Sequence, residues 1–305
     1  MLCDIPLAAF DTTYAAIYRG QSLFFPSGTV DTVRLRDGLA ELVNSTPILA
    51  GTLQYDTSRP GGWLKVGAPW WSADEILNIV DNTSRVDYAT APILWYFSEE
   101  ALAALKARAN VDGNVGISTY VALCAFIWQR VVAASPAEDP NMPVNMLNAV
   151  DSRRRMNPTI PSNWLGNAVS IAHARSTARE LLSAPLSRTA QLIRTSIEDM
   201  TAARILDAVA LLHRQPDLAM SPALAFSTWA RLDTYELDWG TAFGGTRCER
   251  IRVYWAPPAG MVFIFPMGAN GPSDKGVEVM LHLTPEDAAV LDKDPTFAKY
   301  ASKVY

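Results

Sequence analysis

One stretch of this chain constrains its fold more than any other: Val121-Ala122-Leu123-Cys124-Ala125-Phe126-Ile127-Trp128 carries no charged or hydroxyl side chain at any step. Ser118 stands in the N-cap position ahead of it, so the stretch reads as a helix. A helix that is apolar on almost every face has to be buried, and burial requires further layers around it. The chain can supply them, with 305 residues of which 49% are hydrophobic and 19% charged. That is enough for a sizeable core in one large domain or two smaller ones, and it excludes a disordered tail protein.

Punctuation along the chain suggests what those layers are. Phe10 to Phe25 is rich in Tyr, Ile and Phe and closes on Phe25-Pro26-Ser27-Gly28, which reads as a strand region ending in a turn. Val33, Leu35, Leu39, Leu42 and Val43 have roughly helical spacing, and Pro47 to Leu53 reads as a helix-to-strand connection. From Ser58 to Pro92 the pattern weakens into a turn at Arg59-Pro60-Gly61-Gly62, a short helix after Trp70-Trp71 and a linker from Tyr88 to Pro92. Ser98-Glu99-Glu100 then opens a helix through Leu102 and Leu105, and a further helical stretch runs from Ser187 toward Leu212. The last third changes period. Ile251 to Trp255, Met261 to Phe265 and Val277 to Leu281 read as strands, and Thr284-Pro285-Glu286-Asp287 starts the final helix. Clustered strands among helices, without a short repeat, give an α/β or mixed α+β class.

Several functions are excluded by what surrounds these elements. A net charge of −5 without a basic block argues against nucleic acid. Asp4 and Pro6 break any export signal, and no apolar run approaches the ~20 residues that span a bilayer, so a cytosolic protein without membrane contact is expected. Cys3, Cys124 and Cys248 are too few and too scattered for a disulfide framework or a zinc site, so no metal is expected. There is no GxSxG, HExxH, GxxxxGK[ST] or GxGxxG. His173, His213 and His282 are the three histidines available as a base near neutral pH.

A different set of landmarks occurs in order: Pro47 to Leu53; Val150-Asp151-Ser152-Arg153-Arg154-Arg155; Asn163-Trp164-Leu165-Gly166-Asn167-Ala168; Ser227-Thr228-Trp229; Leu237-Asp238-Trp239-Gly240; and Gly276-Val277-Glu278-Val279. The series resembles the BAHD acyltransferases of plants and fungi. The resemblance implies a chloramphenicol-acetyltransferase-like fold of two domains, here a truncated N-terminal one (1–97) and a nearly complete C-terminal one (98–305). It implies transfer from acyl-CoA, as co-substrate, to a small-molecule hydroxyl or amine in secondary metabolism. In that family a histidine of an HxxxD motif, late in the first domain, takes the acceptor's proton. Ser227 and Trp229 match the hydroxyl and indole on the oxyanion side, with a strand whose Trp229 simply fills core as the other reading. Asp238 and Gly240 match a structural motif whose aspartate pairs with the arginine matched by Arg153. Asp151, Arg155, Asn163, Gly166 and Asn167 are assigned to the scaffold.

Two departures stand out. No histidine lies between Leu53 and Ser98, where the family carries HxxxD, so the deficit in chain length is expected inside the first domain and activity is expected to be impaired. The motif after Asp238 continues Trp239-Gly240-Thr241-Ala242. His213-Arg214-Gln215-Pro216-Asp217 does match HxxxD, yet it reads better as a helix end, with His213 and Arg214 at the negative pole of the dipole and Pro216 stopping the helix. His282 alternates with Met280 as a sheet histidine, and His173 follows an apolar stretch. The alternative to an enzyme is a non-catalytic protein that binds a CoA ester or a hydrophobic metabolite. An incomplete lobe would also leave sheet edges for self-association, hence a homo-oligomer.

Overall fold

The computed structural model describes residues 5–6, 21–24, 28–45, 52–56, 63–67, 91–111, 116–136, 138–164, 167–214, 224–253, 259–268 and 275–304. Its centre is a mixed sheet of seven strands: β5 (Ala91–Phe97), β6 (Pro143–Asp151), β7 (Val169–Thr177), β8 (Leu224–Thr228), β10 (Met261–Pro266), β11 (Val277–Leu283) and β12 (Ser302–Lys303). They lie in the order β12-β5-β11-β10-β8-β6-β7. β8 runs parallel to both β10 and β6, and the other pairings are antiparallel. Two smaller pieces carry the N-terminal strands: β1 (Ile5–Pro6), β4 (Trp63–Gly67) and β3 (Thr52–Asp56) form one sheet, and β2 (Gln21–Phe24) pairs with β9 (Arg250–Val253).

Side-chain alternation divides the large sheet into two faces. Val279 and Leu281 of β11, with Val262 and Ile264 of β10 and Phe226 of β8, point to one face and join the main core. The helix read as wholly apolar, α3 (Thr119–Ala134), lies there with Val121 to Trp128 all buried. It is enclosed by α2 (Glu99–Ala109), α5 (Leu186–Glu198) and α7 (Pro285–Asp292). Full burial of side chains as large as Trp128 and Phe97 stabilises the fold by about 1.5–3 kcal/mol each. The opposite face carries Leu94, Phe263, Phe265 and Met280 beneath Tyr235, Cys248 and Ile251.

The expected helix starts hold: the Ser98, Ser118 and Thr284 side chains accept from Ala101, Val121 and Asp287 N–H groups. The helix expected after Asp31 is α1 (Thr32–Ser45). The single helical stretch from Ser187 to Leu212 is instead two helices, α5 and α6 (Ala202–Arg214), preceded by the short α4 (Ala178–Ser183). Arg155 explains the break, since its guanidinium donates to the carbonyls of Ile197 at 2.8 Å and Met200 at 3.1 Å and so terminates α5. The reading of Tyr88 to Pro92 as linker overran a strand: Ala91 and Pro92 begin β5, which pairs with β11 on one side and β12 on the other. A strand enclosed on both faces has no polar alternation to announce it. The expected domain boundary at residue 97 therefore follows a strand already built into the large sheet. The strand region expected at Phe10 to Phe25 is described at Gln21–Phe24, and the rest of it, like the short helix after Trp70-Trp71, lies outside the described residues.

Candidate active site

β8 places the Ser227–Trp229 pair. Wedged between β6 and β10, it directs Phe226 into the helix-side core and Ser227 to the other face, and Trp229 follows immediately at its end. The backbone N–H of Trp229 donates to the Ile264 carbonyl at 2.7 Å. Its indole meets the edges of Phe263 and Phe265, with centroids at 5.6 Å and 5.3 Å, and its N–H donates to Ser227 Oγ at 3.1 Å. Trp229 thus packs against core and also donates to a neighbouring hydroxyl.

Phe263 also separates this pair from an imidazole. The His282 ring lies edge-on to Phe263, with centroids 6.1 Å apart. It is 3% exposed, and neither ring nitrogen has a hydrogen-bond partner among the described residues. Burial lowers its pKa from 6.5 to about 4, so the ring is neutral at pH 7. It is the sheet histidine expected. His173, on β7, donates from Nε2 to Asn145 Oδ1 at 3.1 Å, and burial followed by the Arg175 charge lowers its pKa. The backbone of His213 lies in α6 (Ala202–Arg214), and residues 215–223, which include Pro216 and Asp217, lie outside the described residues.

A cavity of about 530 Å³ opens on the helix side of the sheet, lined by Thr228 and Ala230 but by neither Ser227 nor Trp229. Leu102, Val150 and Ile264 give it apolar walls, the first turn of α3 contributes Thr119 and Tyr120, and the exposed Arg231 and Lys275 line it as well. The Tyr120 hydroxyl donates to Asn148 Oδ1 at 2.8 Å behind the wall. Burial pushes both the Tyr120 phenol and the neighbouring Cys124 thiol up, leaving both neutral. Sequence reasoning missed Tyr120, Asn148, Arg231 and Lys275. The one available signal was Asn148, a polar residue inside an apolar strand.

The expected Arg153–Asp238 ion pair is not formed. Arg153 turns back on Asp151, with Nη1 at 3.2 Å from a carboxylate that is 61% exposed, and its own backbone N–H binds the same carboxylate at 3.0 Å. Asp238 instead accepts from the Gly240 N–H at 2.8 Å, in a loop fastened to itself by the Trp239 indole donating to the Thr234 carbonyl. Each aspartate finds a partner within two residues, at little chain-closure cost. Gly240 takes φ of +73°, which suits glycine. Asn167 accepts from the Val169 N–H at 2.9 Å, where β7 begins, and Asn163 is exposed. Gly166 lies outside the described residues.

The fold, a mixed sheet covered by helices on one face, is shared with solved structures. Trichothecene 3-O-acetyltransferase of F. sporotrichioides, solved with coenzyme A and T-2, superposes with a TM-score of 0.76 at 18% identity, covering 99% of this chain and 100% of that one. Vinorine synthase superposes with a TM-score of 0.55 at 22% identity, covering 90% of this chain and 60% of that one. These matches establish the fold. The sequence matches the Transferase family over residues 72–298, and the chain belongs to that family, the BAHD-type acyltransferases. Relatives include the O-acyltransferase pigD of Monascus ruber, 30% identical over 68% of this chain and 48% of its own length. Agmatine coumaroyltransferase-1 of Hordeum vulgare is 26% identical over 56% of this chain and 41% of its own length. The chain spans about half the length of the curated relatives it matches.

Proposed function

We propose that this chain transfers an acyl group from acyl-CoA to a hydroxyl or amine of a small secondary metabolite, slowly, in the cytosol. What supports the reading is membership of the family together with a cavity lined by Arg231 and Lys275. The apolar walls suit the arm of a CoA thioester, and the two cations with the first turn of α3 suit its phosphates. Attack by the acceptor forms a C–O or C–N bond and puts negative charge on the thioester oxygen. The resemblance assigns Ser227 and Trp229 to the stabilisation of that charge. Collapse breaks the C–S bond, and the acceptor's proton ends on the CoA thiol.

General-base catalysis is typically worth about 10²–10⁴-fold, and the chain has no histidine between Leu53 and Ser98, where the family places its base. His282 is buried behind Phe263 and does not replace it. That sequence fact favours, as second reading, a protein that binds a CoA ester without turning it over. The two-lobe division is retained, with β5 assigned to the second lobe because it pairs there. The test is calorimetric titration with acetyl-CoA and coumaroyl-CoA, followed by thiol release with agmatine or a polyphenol as acceptor. Binding with slow release is expected. Flat titrations would overturn both readings, and turnover of several per second would overturn the impaired one.

A further inference from the structure

Burial gives the cavity on the helix side of the sheet a direction. Arg231, Lys275 and Thr228 in its lining are exposed and mark its mouth. Val121 and Leu123 of α3 and Val150 of β6 are buried and mark its inner end. Tyr120 lines that end too, yet its hydroxyl is spent behind the wall, donating at 2.8 Å to Oδ1 of Asn148, which is 0% exposed. What Tyr120 offers the cavity is its ring. The hydrogen bond matters to both partners. The neighbours of Asn148 in register are Phe226 on β8 and Ala172 on β7, whose side chains accept nothing, and Asn148 Nδ2 has no hydrogen-bond partner among the described residues. Losing the Tyr120 hydroxyl would leave a whole amide buried and unpaired, a larger penalty than losing a bond between exposed groups. The ring is thus anchored at one end by α3 and at the other by the sheet.

We propose that the Tyr120 ring is the end wall that sets the depth of this cavity, that Asn148 is the positioning residue that latches it, and that together they favour a thioester with a short, uncharged acyl chain. This deepens the acyl-transfer reading and rests on it. With the phosphates of the donor at the exposed cations, the arm runs inward and the acyl group is the part that approaches Tyr120. A long chain meets a ring that cannot move without breaking its bond to Asn148, and a carboxylated chain would be buried against it without a partner.

The experiment compares wild type, Tyr120→Ala, Tyr120→Phe and Asn148→Leu by calorimetric titration with acetyl-CoA and coumaroyl-CoA, and by thermal melts with p-cresol, which has the shape of the tyrosine side chain. Relative to wild type, Tyr120→Ala is expected to move the affinity ratio toward coumaroyl-CoA by about tenfold, because the coumaroyl phenol takes the place of the deleted ring. Asn148→Leu keeps the side-chain size and frees the ring, so the ratio should move the same way by about threefold. p-Cresol should raise the Tm of Tyr120→Ala and leave that of wild type unchanged. Tyr120→Phe should melt several degrees below wild type, and Asn148→Leu added to it should recover the difference. An unmoved ratio in Tyr120→Ala shows that the ring is not the wall, and a Tyr120→Phe protein that melts with wild type shows that there is no latch; either overturns the proposal. Should Tyr120→Ala not fold, an unmoved ratio in Asn148→Leu overturns it instead. A wild-type chain that binds neither thioester would overturn the acyl-transfer reading and the acyl preference with it, while p-cresol still decides whether Tyr120 closes the cavity.

Discussion

His282 makes the folded chain sensitive to acid in a calculable way. Its ring is 3% exposed and without a hydrogen-bond partner among the described residues, and burial holds its pKa at about 4 against 6.5 for the ordinary group. Above pH 6.5 both folded and unfolded chains carry the neutral ring, and it contributes no pH dependence. Between 6.5 and 4 the unfolded chain takes up a proton that the folded chain refuses, so stability falls with falling pH and the loss is complete below about 4. At ~1.36 kcal/mol per pH unit the full loss is about 3 kcal/mol, and about 2 kcal/mol of it is reached by pH 5. Urea unfolding followed by tryptophan fluorescence at pH 7.5, 6 and 5 measures it. His173, whose pKa is also lowered, tilts the curve in the same direction, so the comparison is with His282→Leu. The variant should match or exceed wild-type stability at pH 7.5, because an apolar side chain replaces two unpaired nitrogens. By pH 5 it should lead by about a further 2 kcal/mol. Parallel curves for the two proteins from pH 7.5 to 5 would refute the reasoning.

Three further outcomes follow from packing and capping. Gly276→Ala places a methyl group 2.6 Å from the Phe97 carbonyl and 2.6 Å from the Tyr96 ring, and thermal melts should show a loss of about 1–3 kcal/mol. Arg155→Ala removes the guanidinium from the Met200 carbonyl and from the Ile197 carbonyl, which keeps the Met200 N–H at 3.3 Å, and should cost about 1–3 kcal/mol in urea unfolding. Asp238→Ala removes one exposed turn contact and should cost at most ~1 kcal/mol by the same assay, whereas a buried pair with Arg153 would cost about 3–5 kcal/mol.

What was legible in the sequence depended on neighbours a few residues apart. Ser98, Ser118 and Thr284 cap helices because a side-chain oxygen reaches an N–H three residues on, a relation contained within one turn. Ser227 and Trp229 were found through the resemblance, and strand alternation brings them to the same place. Their hydrogen bond was not legible, because it depends on Phe263 and Phe265 fixing the indole from a neighbouring strand. The cavity was missed for a similar reason: Tyr120, Thr228 and Lys275 come from separate elements and have no common sequence pattern.

The fold class, the apolar helix that must lie inside and the absence of a histidine where the family keeps its base were all decided by composition and order along the chain. Folding decided that Ala91–Phe97 is an inner strand, that Arg153 turns to Asp151 and that the Trp229 indole is committed to Ser227. The division has a physical cause. Burial preference and helix capping are properties of short segments, whereas strand pairing, ion-pair choice and donor orientation are competitions among distant groups, settled only when packing brings them within a few ångströms.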